Sequence, residues 1–476
     1  MPVVILSIVL GVTIFLVGGL PFKWVFVLAT IGCFPLLVLG LGSLKKALLA
    51  LLILSFFMVL DVNLWWSEKY QNINPGFSIS LRAIILFALY SLWGFDLSRR
   101  VATVRPFLSV TLPFGLLVAW SGFSIIIAPE PSWVLLELPK AIVAFFLFFY
   151  VANMLNSPAD IRFVVVCVAV AVGFFGALAI CQSATGSSFG LQFLGGEETM
   201  AQQQYARETL SRVSGFLKSA TLMAGILSGL LPLLLAYGLA AADARLRMLC
   251  AGSFALGLIA LILTFARTGW LSFFIGAALV VGYLMKQKIG KGFREARGRL
   301  VILVLAAIML ILPMGNKIFT RLTKDDYATT EARVTLAQDA IKIIHRYPLT
   351  GVGLGNSEAV IPDVNPNPVM DLPGKNPLKN DLEPINNAYL LVAAELGIPA
   401  LALFIWILMV FLRRGIVALR SPDTSVTIFA LGLIAGLASI YINSLLNPGN
   451  IGWPNFALVW FMGGLLMACS TSLETS

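Results

Sequence analysis

Two short segments put arginines where long apolar runs begin. Arg212 stands just ahead of a run that starts near residue 216, with Arg207 five residues earlier. Arg267 lies in Thr264-Phe265-Ala266-Arg267-Thr268-Gly269-Trp270, a turn of a few residues between two apolar runs. Charged groups near membrane depth are expensive and default to function. Snorkelling to the headgroups is the bland alternative for Arg267, but a two-span hairpin needs no arginine at its tip. A pair of guanidinium groups suits a phosphate or pyrophosphate, because each fork binds oxygens bidentately and keeps its charge. Where such a diphosphate is a leaving group, the same contacts strengthen as negative charge develops. Lys218 and Arg82 also lie near the ends of apolar runs, and Glu137 and Lys140 are spaced to pair with each other.

The most informative stretch runs from Arg333 to Pro399, most of it within the long polar segment 316–387, and holds His345-Arg346-Tyr347-Pro348-Leu349-Thr350-Gly351-Val352-Gly353-Leu354-Gly355-Asn356. Thr330–Ile344 reads as an amphipathic helix, with Val334, Ala337, Ile341 and Ile344 at helical spacing. Tyr347-Pro348 stops it, and Gly351 to Gly355 make a tight turn. That turn follows a helix and lacks GK[ST], so it is not a nucleotide loop. His345 is the only histidine; beside a proline turn such a residue is more often structural than catalytic. With no Walker, HExxH or GxSxG pattern, ATP hydrolysis, zinc proteolysis and serine hydrolysis have no support.

The elements that must carry these residues are membrane helices. The 476 residues are 59% apolar and 12% charged, more apolar surface than a soluble domain can hide. The formal charge of +10 does not indicate nucleic acid, because the basic residues sit in short loops between apolar spans. The five cysteines lie scattered in apolar runs without ligand spacing, so neither a metal nor a disulfide is expected. No charged n-region or cleavage motif opens the chain, so 3–20 reads as a first span. Further runs lie near 24–42, 46–60, 80–97, 107–127, 134–154, 161–183, 216–240, 247–265, 269–286, 300–315, 388–412, 426–446 and 455–470. The expected fold is an all-α polytopic membrane protein of about 12–14 transmembrane helices with one large extracytoplasmic loop domain.

Lys45-Lys46, Arg99, Arg100, Arg105, Arg162, Arg245, Arg247, the Lys286–Arg299 cluster, Arg413, Arg414 and Arg420 alternate between spans so that all fall on one side. They make up about half of the 33 basic residues. The positive-inside rule puts that side, and both termini, in the cytoplasm. The domains are then a transmembrane bundle over 1–315 with outer loops 61–79 and 182–215, an outer helical and irregular loop domain over 316–387, and C-terminal transmembrane helices over 388–476. The proline-rich stretch 365–383 reads as a lid-like loop.

Three pieces resemble the O-antigen ligase / Wzy polymerase superfamily, GT-C-type membrane glycosyltransferases: Arg212-Val213-Ser214-Gly215, Phe265-Ala266-Arg267-Thr268-Gly269-Trp270, and Arg333 to Asn356 followed by Asn387-Ala388-Tyr389-Leu390 and Glu395-Leu396-Gly397-Ile398-Pro399. The resemblance covers roughly Arg207 to Leu412. It implies polymerisation of undecaprenyl-pyrophosphate-linked repeat units into O-antigen or exopolysaccharide, by inverting glycosyl transfer at the periplasmic face of a bacterial inner membrane. It implies no cofactor. Arg212, Arg267, Arg207, Arg333 and Lys218 would hold the pyrophosphate, and Glu383, Asn386, Asn387 and His345 would be the catalytic candidates. Partners would be the lipid-linked glycan, an acceptor glycan and membrane lipids, with a chain-length regulator and a flippase beside them. The alternatives are a ligase that moves glycan onto lipid A core or protein, and a transporter of the lipid-linked oligosaccharide. The sequence departs from the pattern at Asn386, where the family has histidine. Asparagine orients a hydroxyl but accepts no proton near neutral pH, which leaves Glu383 and Asp381 as the nearest carboxylates.

Overall fold

The computed structural model describes residues 34–58, 60–66, 76–100, 103–154, 157–187, 189, 201–205, 208–217, 219–287, 327–366, 385–446 and 453–471. The expected spans at 3–20 and 300–315, most of the Lys286–Arg299 cluster, and most of the lid-like loop lie outside these residues.

The chain is a helical membrane bundle. In order, the helices are α1 (Leu44–Leu54), α2 (Leu81–Ser98), α3 (Leu108–Phe123), α4 (Pro131–Met154), α5 (Pro158–Thr185), α6 (Ala220–Ala240), α7 (Ala244–Leu263), α8 (Arg267–Gln287), α9 (Tyr327–Arg346), α10 (Ser357–Val364), α11 (Ala388–Ala418), α12 (Thr424–Leu446) and α13 (Trp453–Thr471). Among the described residues nine helices are long and apolar enough to cross a membrane, and each matches an expected run to within a few residues at most boundaries. Residues 34–41, within the expected run 24–42, are also helical.

Local chemistry sets the boundaries. Ser157 and Asp160 form a reciprocal capping box with Pro158 in the first turn of α5. Ser219 caps α6 by accepting from the Leu222 N–H, and Asn387 caps α11 by accepting from Tyr389 and Leu390. The α6 sequence is apolar on every side, as a helix surrounded by others must be, and its membrane-length window is wholly buried. Small residues let its neighbours close in: a methyl on Gly432 of α12 would meet the Leu233 Cα at 2.6 Å, and Gly276 of α8 packs directly on Ser439 of α12.

The bundle has two chemically distinct ends. At one, Arg162 pairs with Asp243 at 2.6 Å, Lys46 lies 6.0 Å over the Phe163 ring, and Asn153 accepts from the Arg105 N–H at 2.7 Å. The Tyr283 hydroxyl donates to the Leu419 carbonyl at 3.2 Å, bringing the ends of α8 and α11 to the same side. The basic loops read from the sequence therefore collect at one end. The other end carries Arg212, Arg267 and the polar segments.

Two features were not expected. The loops before α2 and α6 contain short antiparallel hairpins, β1 (Asp61–Trp66) with β2 (Gly76–Ser80), and β3 (Ala201–Tyr205) with β4 (Glu208–Arg212). The α9 helix forms as expected but turns a different face inward. Leu336, Ala340 and Ile343 are buried, while Val334 and Ile341 are 52% and 45% exposed. Both stripes are apolar. The inward one also carries Asp339, which masks it in the sequence; there the carboxylate accepts from Lys342 at 2.8 Å and from Asn365 at 2.9 Å. The core beneath α9 is Val352, Ile361, Ile385, Leu391 and Ala394.

Candidate active site at the arginine-bearing end

Arg212 ends β4, and its guanidinium crosses to the α7–α8 turn. Nε donates to the Thr264 carbonyl at 2.8 Å and Nη2 to the Thr221 hydroxyl at 3.3 Å. The backbone follows the same course, with the Val213 N–H donating to the Leu263 carbonyl at 3.4 Å. Beyond it Gly215 takes a left-handed φ of 65°. The side chain of Gln182, on the last turn of α5, accepts from the Gly215 N–H at 3.1 Å and donates to its carbonyl at 3.2 Å.

Arg267 opens α8, three residues after Thr264. The turn before it is tight: Phe265 is buried at φ 49°, a costly conformation for a bulky residue. Thr264 Oγ1 accepts from the Ala266 N–H at 3.3 Å, and the Trp270 indole donates to the Leu261 carbonyl at 2.9 Å. Arg267 is half-buried. A cation at the first position of a helix is unfavourable against the positive end of its dipole, and the two together favour an anion. The N-terminus of α6 lies alongside, since Gly269 of α8 packs on Ala224 of α6. The sequence-predicted pair Arg212 and Arg267 thus comes from separate hairpins onto one turn.

The second half of the site is the junction of α11 and α12. The Asn387 amide donates to the Leu445 carbonyl at 3.2 Å, and the Tyr389 hydroxyl to the Tyr441 carbonyl at 3.2 Å. Asn386 is 8% exposed, and its buried Oδ1 has no hydrogen-bond partner among the described residues. A buried amide oxygen without a donor is destabilising until one arrives. The α6–α12 contact places this junction near the arginines: Asn443 meets Ser228 at 3.4 Å. Thr221 is then about 10 Å further toward the end at about 1.5 Å rise per residue.

The glycine turn is a scaffold. Gly351, Gly353 and Gly355 all have positive φ. The Gly353 N–H donates to the Glu395 carbonyl at 2.8 Å. The Gly355 N–H and the Ser357 hydroxyl donate to the Glu395 carboxylate at 2.9 and 2.8 Å. The α11 helix breaks at Gly397, φ 83°, and the freed groups find partners: the Ile398 N–H donates to the Pro348 carbonyl at 2.8 Å, and the Trp120 indole to the Leu396 carbonyl at 2.9 Å.

The other sequence candidates fare differently. Arg207, Lys218, Glu383 and Asp381 lie outside the described residues. Arg333 and His345 are exposed on α9, His345 on the side away from the buried Ile343. The Asn387 side chain is engaged in capping α11. Glu137 and Lys140 pair with each other, and Arg82 is buried in the first turn of α2. Sequence reading missed Thr221, Thr264, Gln182 and the role of Glu395. Only Glu395 carried a signal, its place in the Glu-Leu-Gly-Ile-Pro run.

The fold defines a multi-pass membrane protein that carries Arg212 and Arg267 on one turn at one end. Residues 252–405 match the family model Wzy_C, described as O-antigen ligase. The match covers about a third of the chain and supports a relation to the O-antigen ligase/Wzy superfamily, whose members are membrane glycosyltransferase-like enzymes. The matched segment contains Arg267, the glycine turn, Asn386 and Glu395; Arg212 lies before it. No curated protein matches the chain significantly.

Proposed function

We propose that the chain polymerises undecaprenyl-pyrophosphate-linked oligosaccharide repeat units by inverting glycosyl transfer, without metal or ATP. The observation that carries this reading is the Arg212 guanidinium resting on the Thr264 carbonyl, in the turn that delivers Arg267 to the head of α8. An acceptor sugar hydroxyl attacks the anomeric carbon, the bond to the pyrophosphate oxygen breaks, and Arg212 and Arg267 stabilise the charge on the departing lipid pyrophosphate. The pyrophosphate linkage is already activated, so no further energy source is needed.

Asn386 enters as a hydroxyl-orienting group. Its unpartnered buried oxygen supports a role as acceptor for a substrate hydroxyl. Glu383 and Asp381 are the nearest carboxylates in sequence for the proton. The collection of basic loops at the opposite end supports an orientation with that end and both termini in the cytoplasm of a bacterial inner membrane, the arginine end facing the periplasm.

The description of the matching family model favours a second reading, a ligase for lipid A core or protein. Purified protein reconstituted with lipid-linked repeat units separates the two. Polymer ladders without a second acceptor support the polymerase. Product formed only when lipid A core or protein is added overturns it in favour of the ligase.

A further inference from the structure

Gln182 lies one turn before the end of α5, 3% exposed in a helix whose other buried residues are small or apolar. A buried carboxamide must find partners, whereas an apolar side chain in its place needs none. Both partners of this one belong to a single residue: Gly215 N–H at 3.1 Å and Gly215 C=O at 3.2 Å. The amide stands in for the edge of a neighbouring strand.

The residue so held is the hinge of the arginine segment. Gly215, at φ 65°, turns the chain between Arg212 and Ser219, the cap of α6. A Cβ there would make only ordinary contact with Met223, at 3.5 Å from Sδ, so it is the left-handed φ that calls for glycine. From 212 to 216 the backbone is fastened on three sides, one of them a parallel bridge between Phe216 and Met58. The α7–α8 turn holds Val213 and the Arg212 guanidinium, and α5 holds Gly215. Release of the α5 side removes both Gln182 hydrogen bonds from Gly215 and leaves only the Phe216 bridge beyond it, and Gly215 is three residues from the guanidinium that must meet the Thr264 carbonyl.

Resting on the pyrophosphate reading of Arg212, we propose that Gln182 is a positioning residue: its carboxamide locks the Gly215 peptide and thereby holds the Arg212 guanidinium on the Thr264–Arg267 turn. Gln182 touches no substrate in this scheme. Its effect passes entirely through Arg212.

A double-mutant cycle tests this, with affinity for undecaprenyl pyrophosphate in detergent micelles as the readout. Arg212→Ala is expected to weaken binding about 10-fold or more, and Gln182→Met, of equal length but without hydrogen bonds, about 5-fold. In the Arg212→Ala background Gln182→Met should change affinity less than about 2-fold, because coupled sites are not additive. Equal weakening in both backgrounds makes Gln182 a general structural residue and overturns the proposal, as does wild-type affinity in Gln182→Met. Should Gln182→Met fail to accumulate, Gln182→Asn carries the same cycle. One methylene shorter, it reaches only one of the two Gly215 groups, and a loss in both backgrounds is again decisive against positioning. Full affinity in Arg212→Ala is a different failure: it removes the pyrophosphate reading itself and this proposal with it.

Discussion

Arg212 Nε and the Thr264 carbonyl oxygen lie 2.8 Å apart across 52 residues of sequence. The same guanidinium reaches the Thr221 hydroxyl at 3.3 Å, so one planar fork ties the end of β4 to both α6 and the α7–α8 turn. A lysine ammonium keeps the charge but not this geometry. Arg212→Lys is therefore expected to behave like Arg212→Ala, with glycan transfer down by about 10²–10³, the usual loss for a positioned transition-state donor. Polymer yield in cells and in reconstituted membranes measures it. Near-wild-type yield from the lysine variant would show that charge alone suffices.

The approach of α8 to α6 rests on Gly269. A Cβ there would sit 2.7 Å from the Ala224 Cβ and 3.3 Å from Leu261 Cδ1. Alanine gains about 1 kcal/mol of helix propensity over glycine, but overpacking costs about 1–3 kcal/mol. Gly269→Val adds two more carbons and no such gain. Gly269→Val should lower the thermal midpoint in detergent clearly and reduce transfer, while Gly269→Ala shows a smaller version of both. A valine variant as stable and active as wild type would mean that the two helix heads need not touch.

The bundle was legible in the sequence because hydrocarbon imposes a minimum length on each span. The runs at 80–97, 161–183 and 269–286 reappear as α2, α5 and α8. Arg212 and Arg267 were legible for a related reason: a cation at a helix mouth stands out against an apolar background. What partners them did not stand out. Thr221, Thr264 and Gln182 are ordinary residues whose meaning lies in contacts over 9, 52 and 33 positions. The inward face of α9 was misread because Asp339 sits on it, and a buried carboxylate with Lys342 and Asn365 as partners cannot be told from a solvated one by periodicity alone. The β1–β2 hairpin does alternate, Asp61-Val62-Asn63-Leu64 against Phe77-Ser78-Ile79-Ser80, but its strands are only 6 and 5 residues long, and Ala201–Tyr205 and Glu208–Arg212 carry no alternation.

Glu395 links two motifs that are far apart in the chain. Its carboxylate takes the Gly355 N–H and the Ser357 hydroxyl, and its carbonyl takes the Gly353 N–H. Glu395→Leu takes the acceptor from the buried Ser357 hydroxyl, at about 1–3 kcal/mol, and from the part-buried Gly355 N–H, at less. Glu395→Gln retains one oxygen of nearly the same shape. The leucine variant should open the 351–366 segment to limited proteolysis and lower the thermal midpoint by several degrees. The glutamine variant should lie between it and wild type. Equal protease resistance in all three would detach Glu395 from the glycine turn.

Asn386 offers the sharpest chemical test, because the family resemblance implies a histidine at its position and its buried Oδ1 has no partner among the described residues. Removing the oxygen with Asn386→Ala should reduce transfer about 10-fold or more if it orients the attacking hydroxyl. Asn386→His replaces an orienting group with one that also accepts a proton. A free imidazole titrates near about 6.5, and only its neutral form acts as a base. The variant's rate should therefore rise with pH through that region and level off above it. The wild-type profile is the background against which that step is read, since its one histidine, His345, is exposed on the outward side of α9. Initial rates between about pH 5.5 and 8 on a single preparation of each protein read the difference directly. Superimposable profiles would show that residue 386 handles no proton even when it can, and would move the search for the base to the carboxylates at 381 and 383.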